Sequence, residues 1–391
     1  MNMNKETAIQ DMMDLLSVEG QSGSEGLVAE LIQKKLLQAG CETSWFHENV
    51  GKENLPEHFE IGNLIVKIPG TIEAERVMFS AHMDTVPLCK GAVPVLQDDR
   101  IVSKGKTALG ADNRAAVAAI ITMVRVLLKT DAPRPPISLL FTVGEENGMH
   151  GAKAFELSDA DDAAYCFNLD GSGSNAFIGA LGAVRWKATV RGKSVHAAAQ
   201  AEAGISSAVI AALAIAEVTR KGYFGRIAQG EVEGTANIGK LHGGEANNQV
   251  MDHLIVTGEC RSHSQDSLEK ISKVWETAFE NAADEVTNEA GEHGSIDWEL
   301  AHDYPSFKLE NDEPVIQRFS DVAERIGQKR GLVLMSAGLD ANTLNKKGLP
   351  TLTFGAGGKH AHSLNEIVEL PYFFATCELI IALATLGYAK D

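Results

Sequence analysis

The spacing of apolar residues in the first half of the chain predicts alternating helices and strands. Helical spacing occurs in Glu6–Ser17, and a second helix is predicted with Ser24 as its cap and Gly40 as its stop. A longer helix is predicted for Ala115–Lys129. The runs predicted as strands are Asn63–Ile68, Val77–Ala81, Ile137–Val143 and Tyr165–Leu169. This alternation indicates a mainly parallel, buried sheet that is covered on both faces.

The order of elements changes from about Gly182. The predicted elements are a strand at Val184–Arg191, a helix at Ser206–Arg220, strands near Ala236–Leu241 and Leu254–Cys260, a helix at Ser267–Asn288 and a strand near Ile296–Ala301. Their βαββαβ order is that of the ferredoxin-like, split-βαβ motif.

The α/β alternation returns after Pro305. The predicted elements are a helix near Pro314–Gln328, strands at Leu332–Met335 and Thr351–Phe354, and a closing helix at Leu370–Leu386. We therefore predict a discontinuous α/β domain of residues 1–181 and 306–391, with residues 182–305 forming an inserted domain.

Composition narrows the class of protein. A length of 391 residues fits two domains, and 44% hydrophobic with 6% aromatic residues is typical of a soluble α/β protein. The polar N-terminus lacks the apolar core of a signal peptide, and charges interrupt the apolar stretches before they reach a membrane-spanning length. Five scattered cysteines without a C-x-x-C pair argue against a disulfide framework. We therefore expect a cytoplasmic protein with no membrane partner.

The chain is strongly acidic. Lys and Arg total 35 against 53 Asp and Glu, which gives a formal charge of −18. Such a surface repels phosphate backbones, so we expect no nucleic-acid partner. Most of the acidic excess is expected to be solvated surface, and the remainder is available for cations.

Acidic and imidazole side chains occur at the ends of predicted elements. His82 and Asp84 lie two apart on a strand and share a face, so Asp84 can orient a metal-bound His82. Alone, H-x-D more often indicates a strand-end histidine beside a solvated aspartate. Asp112 precedes the alanine-rich helix, where it could bridge two cations or only cap the helix. Glu145 and Glu146 follow a strand, and they repel each other unless a cation compensates; the alternative is a solvated acidic loop.

Two further motifs complete the pattern. Asp170 follows a strand, and His360 and His362 lie in a glycine-rich loop after another. The motifs together place acids and imidazoles at the ends of four or more parallel strands, where ligand crevices form in open α/β sheets. This coincidence, rather than any single motif, indicates a metal-dependent catalytic site.

With these motifs the chain resembles the co-catalytic dizinc exopeptidase family of peptidase T, carboxypeptidase G, acetylornithine deacetylase, succinyl-diaminopimelate desuccinylase and aminoacylase. The matching stretches are H-M-D-T-V-P, G-A-D-N, E-E-N-G-x-x-G-A and H-S-x-x-E, and peptidase T-like members are the most similar. The resemblance implies a zinc-exopeptidase-like, three-layer α/β/α catalytic domain with an inserted ferredoxin-like lid or dimerisation domain.

The resemblance also implies two divalent metal ions, zinc by preference and cobalt or manganese as alternatives. Asp112 would bridge both ions. The remaining implied ligands are His82 and Asp170 at one ion, and Glu146 and His362 at the other. His362 is preferred to His360 because it opens the H-S-x-x-E motif, which ends at Glu366.

Further roles come from the same resemblance. Glu145 would be the general base that takes a proton from the attacking water and delivers one to the leaving amine, and Asp84 would orient a ligand histidine. The lid residue His196 would stabilise the oxyanion, often across a dimer. A cis peptide bond is implied after the bridging aspartate. The implied substrate-binding residues are Asn248, Arg261 and Gly338.

The expected activity is hydrolysis of an amide bond in a short peptide, of the aminopeptidase or tripeptidase type. Deacylation of an N-acyl amino acid on the same scaffold is the alternative, because both reactions need the same ions and base. A binding module without catalysis would be expected to lack the pair Glu145 and Glu146. The resemblance also implies a homodimer formed through the inserted domain.

Overall fold

The computed structural model describes residues 3–385. The helices of this part of the chain are α1 (Lys5–Leu16), α2 (Gly26–Ala39), α3 (Ala111–Leu127), α4 (His150–Ala154), α5 (Ser207–Arg220), α6 (Gln265–Glu285), α7 (Pro314–Arg325), α8 (Asp340–Lys346) and α9 (Leu370–Leu383). Its strands are β1 (Phe46–Val50), β2 (Asn63–Ile68), β3 (Val77–His82), β4 (Pro94–Gln97), β5 (Arg100–Ser103), β6 (Ile137–Thr142), β7 (Tyr165–Gly171), β8 (Ala176–Ala180), β9 (Gly182–Arg191), β10 (Gly225–Gln229), β11 (Val232–Gly243), β12 (His253–Ser262), β13 (Ser295–Tyr304), β14 (Phe307–Lys308), β15 (Leu332–Met335), β16 (Thr351–Gly355), β17 (Gly358–Lys359) and β18 (Ile367–Glu369). None of these helices combines the length and the apolar character needed to cross a bilayer.

The chain divides into two compact units. The first contains the chain up to Gly179, the segment Lys308–Met335 and the chain from Leu339 onwards. The second contains Ala180–Phe307 together with the three residues Ser336–Gly338. This short segment joins the second unit although it lies far from the rest of it in sequence.

A nine-stranded sheet forms the centre of the first unit. Its order is β1-β2-β6-β3-β7-β16-β8-β14, with β15 paired to β8. Strands β6, β3, β7 and β16 are parallel neighbours, as the sequence pattern predicts. Every residue of β3 and β6 is buried, so both faces of these strands are covered. The four parallel strands end at the same edge of the sheet.

Successive residues of β3 pack into different layers. Met78 belongs to a core cluster with Phe155 and with Leu344 of α8. Its neighbour Phe79 lies in an aromatic chain that runs through Phe167 and Phe354 to Phe319 of α7. Because side chains alternate along a strand, these contacts place helices on both faces of the sheet. The predicted three-layer α/β/α arrangement is confirmed.

The predicted helix ends are partly right. Gly40 ends α2 with a φ of 111°, which glycine adopts without steric cost. The expectation for Ser24 is wrong: the cap position of α2 is Glu25, and its side chain does not bond to the first turn of the helix. The Glu25 carboxylate instead accepts bonds from Gly23 N and Gly144 N. The predicted end of the closing helix, Leu386, lies outside the described residues.

The second unit is built on a five-stranded antiparallel sheet. Its order is β10-β11-β12-β9-β13, with α5 and α6 packed against it around Trp186, Trp275 and Phe279. The predicted βαββαβ motif is present in β9, α5, β11, β12, α6 and β13. The extra edge strand β10 was not predicted, because its pattern of one buried residue among four exposed ones gives little hydrophobic signal.

A small four-stranded sheet in the first unit carries the glycine-rich loop. Its order is β17-β18-β5-β4. The loop between β17 and β18 contains His362 and Glu366, while the chain after β5 leads to the start of α3 and to Asp112. Pairing of β18 with β5 therefore brings together two segments that are distant in sequence.

Candidate functional site

The parallel strands of the first unit bring the predicted motifs to one edge of the sheet. His82 is the last residue of β3 and lies in parallel register with Thr142, the last residue of β6. Asp170 lies near the end of β7. The chain leaves the same edge after β6 towards Glu145, and after β16 it leads through β17 to His362.

The His82 imidazole is enclosed between acids. It is 1% exposed, and its Nδ1 lies 3.1 Å from the carbonyl oxygen of Asp84 and 3.3 Å from Asp84 Oδ1. Its Nε2 lies 3.1 Å from Asp112 Oδ1 and 3.8 Å from Asp170 Oδ1. Burial lowers the pKa of His82, but the hydrogen bonds with Asp112 and Asp84 outweigh it and hold that pKa well above its ordinary value.

The Asp84 carboxylate holds the loop of the two glutamates. Its Oδ1 accepts a hydrogen bond from Glu145 N at 3.0 Å, and its Oδ2 accepts from Glu146 N at 3.2 Å and from Ser22 Oγ at 2.5 Å. Burial alone would raise the pKa of Asp84, but the hydrogen bond and charge of His82 lower it below its usual value. Asp84 therefore contacts the imidazole and both adjacent acidic residues.

Asp112 lies between two imidazoles at the start of α3. Its Oδ1 faces His82, and its Oδ2 lies 3.6 Å from His362 Nε2. His362 Nε2 also lies 2.8 Å from a carboxylate oxygen of Glu146. The peptide bond between Asp112 and Asn113 is cis, which confirms that prediction. The two oxygens of one carboxylate thus face two histidines.

The acids and imidazoles form two overlapping groups with the spacing of a metal site. One group is His82, Asp112 and Glu146, and the other is His82, Glu145 and Asp170. Within each group the possible ligand atoms all lie within 4.8 Å of one another. Imidazole nitrogen and carboxylate oxygen are donors that zinc and related divalent ions accept, so these residues fit bound metal.

The crowding of acidic side chains changes the pKa values of residues in the site. Burial above all, together with neighbouring acidic charge, raises the pKa of Glu145 and of Asp170 well above the ordinary values. The hydrogen bond to Glu146 raises the pKa of His362 to about 9. Acids crowded in this way favour a compensating positive charge between them.

The loop between β17 and β18 directs one of its two histidines to the acids. His362 contacts Asp112 and Glu146, as described above. His360 is exposed, and its carbonyl oxygen accepts a hydrogen bond from Ser363 Oγ at 2.7 Å. The geometry thus agrees with the preference for His362 over His360.

The remaining predicted residues lie in the second unit. His196 Nδ1 accepts hydrogen bonds from Ala198 N and Ala199 N, both at 3.2 Å, so a neutral ring carries its proton on Nε2. Asn248 lies next to this turn, because its carbonyl oxygen accepts a bond from Ala197 N at 2.9 Å. The structure therefore brings His196 and Asn248 together.

Arg261 and Gly338 also lie in the second unit, where Arg261 contacts Glu259 and Gly338 contacts Tyr304. The Arg261 guanidinium forms two hydrogen bonds with Glu259, at 2.9 and 3.2 Å, and these raise its pKa. Gly338 packs against the Tyr304 ring so closely that a Cβ would overlap the ring. A larger residue at position 338 would therefore have to displace the Tyr304 ring.

Sequence reasoning missed four residues that support the site. In the N-terminal segment, Ser22 contacts Asp84 and Glu25 contacts Gly144. Asp340 accepts a 2.5 Å hydrogen bond from Thr142 Oγ1. Glu366 binds the loop before α3. Burial, and after it the charge of Asp84, raises the pKa of Glu25 to about 7. Only Glu366 had a sequence signal, its place in H-S-x-x-E; the other contacts follow from the fold.

Comparison with protein families agrees with this geometry. A model described as peptidase family M28 matches residues 63–214. A model described as a peptidase dimerisation domain matches residues 178–287, which include most of the second unit's sheet.

Three known proteins resemble the chain over nearly its whole length. The structure of aminopeptidase PepT from Bacillus cereus ATCC 10987 is 33% identical, covers 98% of both chains and has a TM-score of 0.88. A tripeptidase structure from Staphylococcus aureus subsp. aureus Mu50 is 27% identical, with the same coverage and a TM-score of 0.87. The uncharacterized protein YqjE of Bacillus subtilis strain 168 is 29% identical over 97% of this chain and 98% of its own length.

Two observations lead to the same assignment. One is the group of acids and imidazoles at a single edge of the sheet, and the other is the similarity to known peptidases along the chain. The predicted family and the predicted type of activity are confirmed. The chain belongs to the peptidase T-like family of metal-dependent exopeptidases.

Proposed function

We propose that this metallopeptidase removes residues from short unblocked peptides, as an aminopeptidase acting on tripeptides, and that it does so with two zinc ions. The observation that carries the proposal is the cluster of His82, Asp112, Glu146 and Asp170 at the sheet edge. The names of two similar solved structures, an aminopeptidase and a tripeptidase, support the substrate class.

Five side chains are proposed to hold the ions. Asp112 is the proposed bridge because its two oxygens face different imidazoles. The other proposed ligands are His82 and Asp170 at one ion, and Glu146 and His362 at the other. When bound, the two ions would polarise the scissile carbonyl and lower the pKa of the attacking water.

Glu145 is the proposed general base. Asp84 fixes its backbone N–H at 3.0 Å, which holds it beside the proposed ligands. Glu145 would accept a proton from the water whose oxygen attacks the carbonyl carbon. When the C–N bond breaks, the same carboxyl would return that proton to the leaving amine nitrogen.

His196 is the proposed donor to the oxyanion. Its Nδ1 is an acceptor for two backbone N–H groups, so its Nε2–H is free to donate to a negatively charged oxygen. Asn248, Arg261 and Gly338 are proposed to contact the substrate from the same unit. We propose that residues 182–305 serve as a lid and dimerisation domain and that residues 1–181 and 306–391 form the catalytic domain.

A homodimer formed through the second unit is part of the proposal. The match of residues 178–287 to a peptidase dimerisation domain supports it. Sedimentation velocity on the purified enzyme is expected to show a dimer, and an active monomer would contradict any contribution of His196 from a partner.

The proposed location is the cytoplasm. All five cysteines are free and buried. Free thiols of this kind are typical of a reducing compartment.

A substrate panel tests the activity. The zinc-loaded enzyme should release the N-terminal residue from free-amine tripeptides, with slower cleavage of dipeptides and no cleavage of N-acetylated tripeptides. Exclusive release of acetate or succinate from N-acyl amino acids would instead identify a deacylase. Parallel assays with cobalt and manganese would test the preference for zinc.

A further inference from the structure

One buried carboxylate accepts hydrogen bonds from several backbone N–H groups of the loop that leads into α3. Glu366 Oε2 accepts hydrogen bonds from Leu109 N and Gly110 N, both at 2.8 Å, and Oε1 accepts from Asp112 N at 3.0 Å. The donors lie 254 to 257 positions away in the sequence, and Glu366 is 3% exposed. A single side chain therefore fixes the main chain on both sides of Ala111.

The first turn of α3 needs this external support. Asp112 has a φ of −84° and a ψ of 101°, and Asn113 has a φ of −122° and a ψ of 26°, so neither is helical. The first N–H groups of any helix lack intrahelical partners, and the positive end of the helix dipole favours an anion there. The helix therefore does not fix the Asp112 backbone by itself, and the Glu366 carboxylate supplies the missing acceptor.

The loop of Glu366 reaches Asp112 twice. Four residues earlier, His362 places its Nε2 at 3.6 Å from Asp112 Oδ2 and at 2.8 Å from Glu146. The imidazole thus meets the side chain of Asp112 while Glu366 holds its main chain. Any shift of this backbone would change which imidazoles the two Asp112 oxygens can face.

We propose that Glu366 is a positioning residue for the dinuclear site, holding Asp112 so that its carboxylate faces His82 and His362 at the same time. The proposal rests on the bridging role of Asp112. A full carboxylate is required because the donors approach both of its oxygens, whereas an amide has only one acceptor oxygen. In Glu366→Gln the amide NH2 would face a backbone N–H group and displace the loop.

The test uses the purified full-length enzyme stripped of metal with a chelator. Zinc is titrated by calorimetry into the wild type, Glu366→Gln and the matched control Glu369→Gln, whose carboxylate pairs with Lys359 at 2.7 Å. We expect Glu366→Gln to bind zinc roughly ten- to a hundredfold more weakly, as for other groups that orient metal ligands, and Glu369→Gln to match the wild type. At saturating zinc, kcat on trialanine should fall about tenfold or more while KM stays within about twofold.

A purely structural cap predicts another result. If Glu366→Gln lowers the Tm but keeps wild-type zinc affinity and kcat, the positioning role is wrong. Should this variant fail to fold, Glu366→Asp replaces it: the charge remains, but the carboxylate retreats by about 1.5 Å and cannot serve both ends of the loop. Unchanged zinc affinity and kcat in Glu366→Asp would then refute the proposal.

Asp112→Asn separates this inference from the function on which it rests. Two zinc ions bound with wild-type affinity in Asp112→Asn would remove the bridging role and the proposed site with it. Weakened zinc binding in Asp112→Asn together with wild-type binding in Glu366→Gln would leave the site intact and reject only the role of Glu366.

Discussion

The two compact units place their acidic side chains in different surroundings. In the first unit the acids at the sheet edge are buried or half-buried, and buried carboxylates such as Asp84 and Glu366 accept hydrogen bonds from backbone N–H groups. In the second unit acids lie exposed on β13 opposite basic residues of β9, as Glu299 does with Lys187 at 2.7 Å. The same residue types therefore serve as internal scaffolding in one unit and as surface pairs in the other.

This difference indicates which acidic side chains a substitution should affect most. Removing a carboxylate from water costs several kcal/mol unless charge or hydrogen bonds compensate, so the acids at the sheet edge depend on the partners around them. An exposed ion pair contributes about 0 to 1 kcal/mol and can be exchanged freely. Substitutions of acids should therefore have large effects in the first unit and small ones on the open strands of the second.

The largest effect is expected from Glu145→Gln. Loss of the proposed general base should lower kcat by roughly a hundred- to ten-thousandfold, while both metal ions remain bound because the proposed ligands are unchanged. Steady-state kinetics and elemental analysis of the same preparation measure both quantities. Glu156→Gln, which alters a surface glutamate paired with Lys347, is the matched control. Wild-type turnover in Glu145→Gln would remove this residue from the mechanism.

The second-largest effect is expected from substitution of Glu25, which should change how the free energy of unfolding depends on pH. Glu25 is fully buried, its Oε1 accepts two backbone hydrogen bonds, and its Oε2 has no hydrogen-bond partner among the residues that the structure describes. The pKa of Glu25 rises from 4.5 in the unfolded chain to about 7 in the folded one. The contribution of Glu25 to the free energy of unfolding is therefore fully present below pH 4.5, and it is lost as the pH rises through 7. Glutamine keeps the Oε1 acceptor without the charge.

Glu25→Gln should therefore be more stable than the wild type at pH 8, by up to about 3 kcal/mol, and the difference should shrink to near zero at pH 4.5. Urea denaturation at a series of pH values measures it. Glu19→Gln, a glutamate of the same segment, is a control for the change in net charge. A variant less stable than the wild type at pH 8 would show that the Glu25 charge is compensated in the folded enzyme.

Much of the candidate site could be predicted because its residues follow strands with a clear hydrophobic pattern. His82 and Asp170 lie at strand ends and Glu145 follows the end of β6, so the topology of a parallel sheet brings them together. The supporting contacts could not be predicted, since Glu366 reaches Asp112 across 254 positions and only the fold defines that distance.

A smaller effect is expected from Asp84→Asn. Both Asp84 oxygens accept backbone N–H groups of the glutamate loop, so an amide NH2 would oppose one of these donors. An unsatisfied buried donor costs about 1 to 3 kcal/mol, which denaturant unfolding can detect. Ser22→Ala, which removes only the hydroxyl bonded to Asp84 Oδ2, is the milder comparison. Equal stability of Asp84→Asn and wild type would show that the loop does not depend on the second oxygen.

The smallest effect should come from Lys187→Ala on the open face of the second unit. The Lys187 side chain is 40% exposed and that of its partner Glu299 is 63% exposed, so water and salt screen their attraction. We expect the free energy of unfolding to change by less than about 1 kcal/mol, and kcat to stay at the wild-type value. Raising the salt concentration should reduce even this difference, because only a screened surface charge is lost. A loss of stability comparable with that of Asp84→Asn would mean that the exposed strands of the second unit depend on their ion pairs as strongly as the candidate site depends on the buried Asp84.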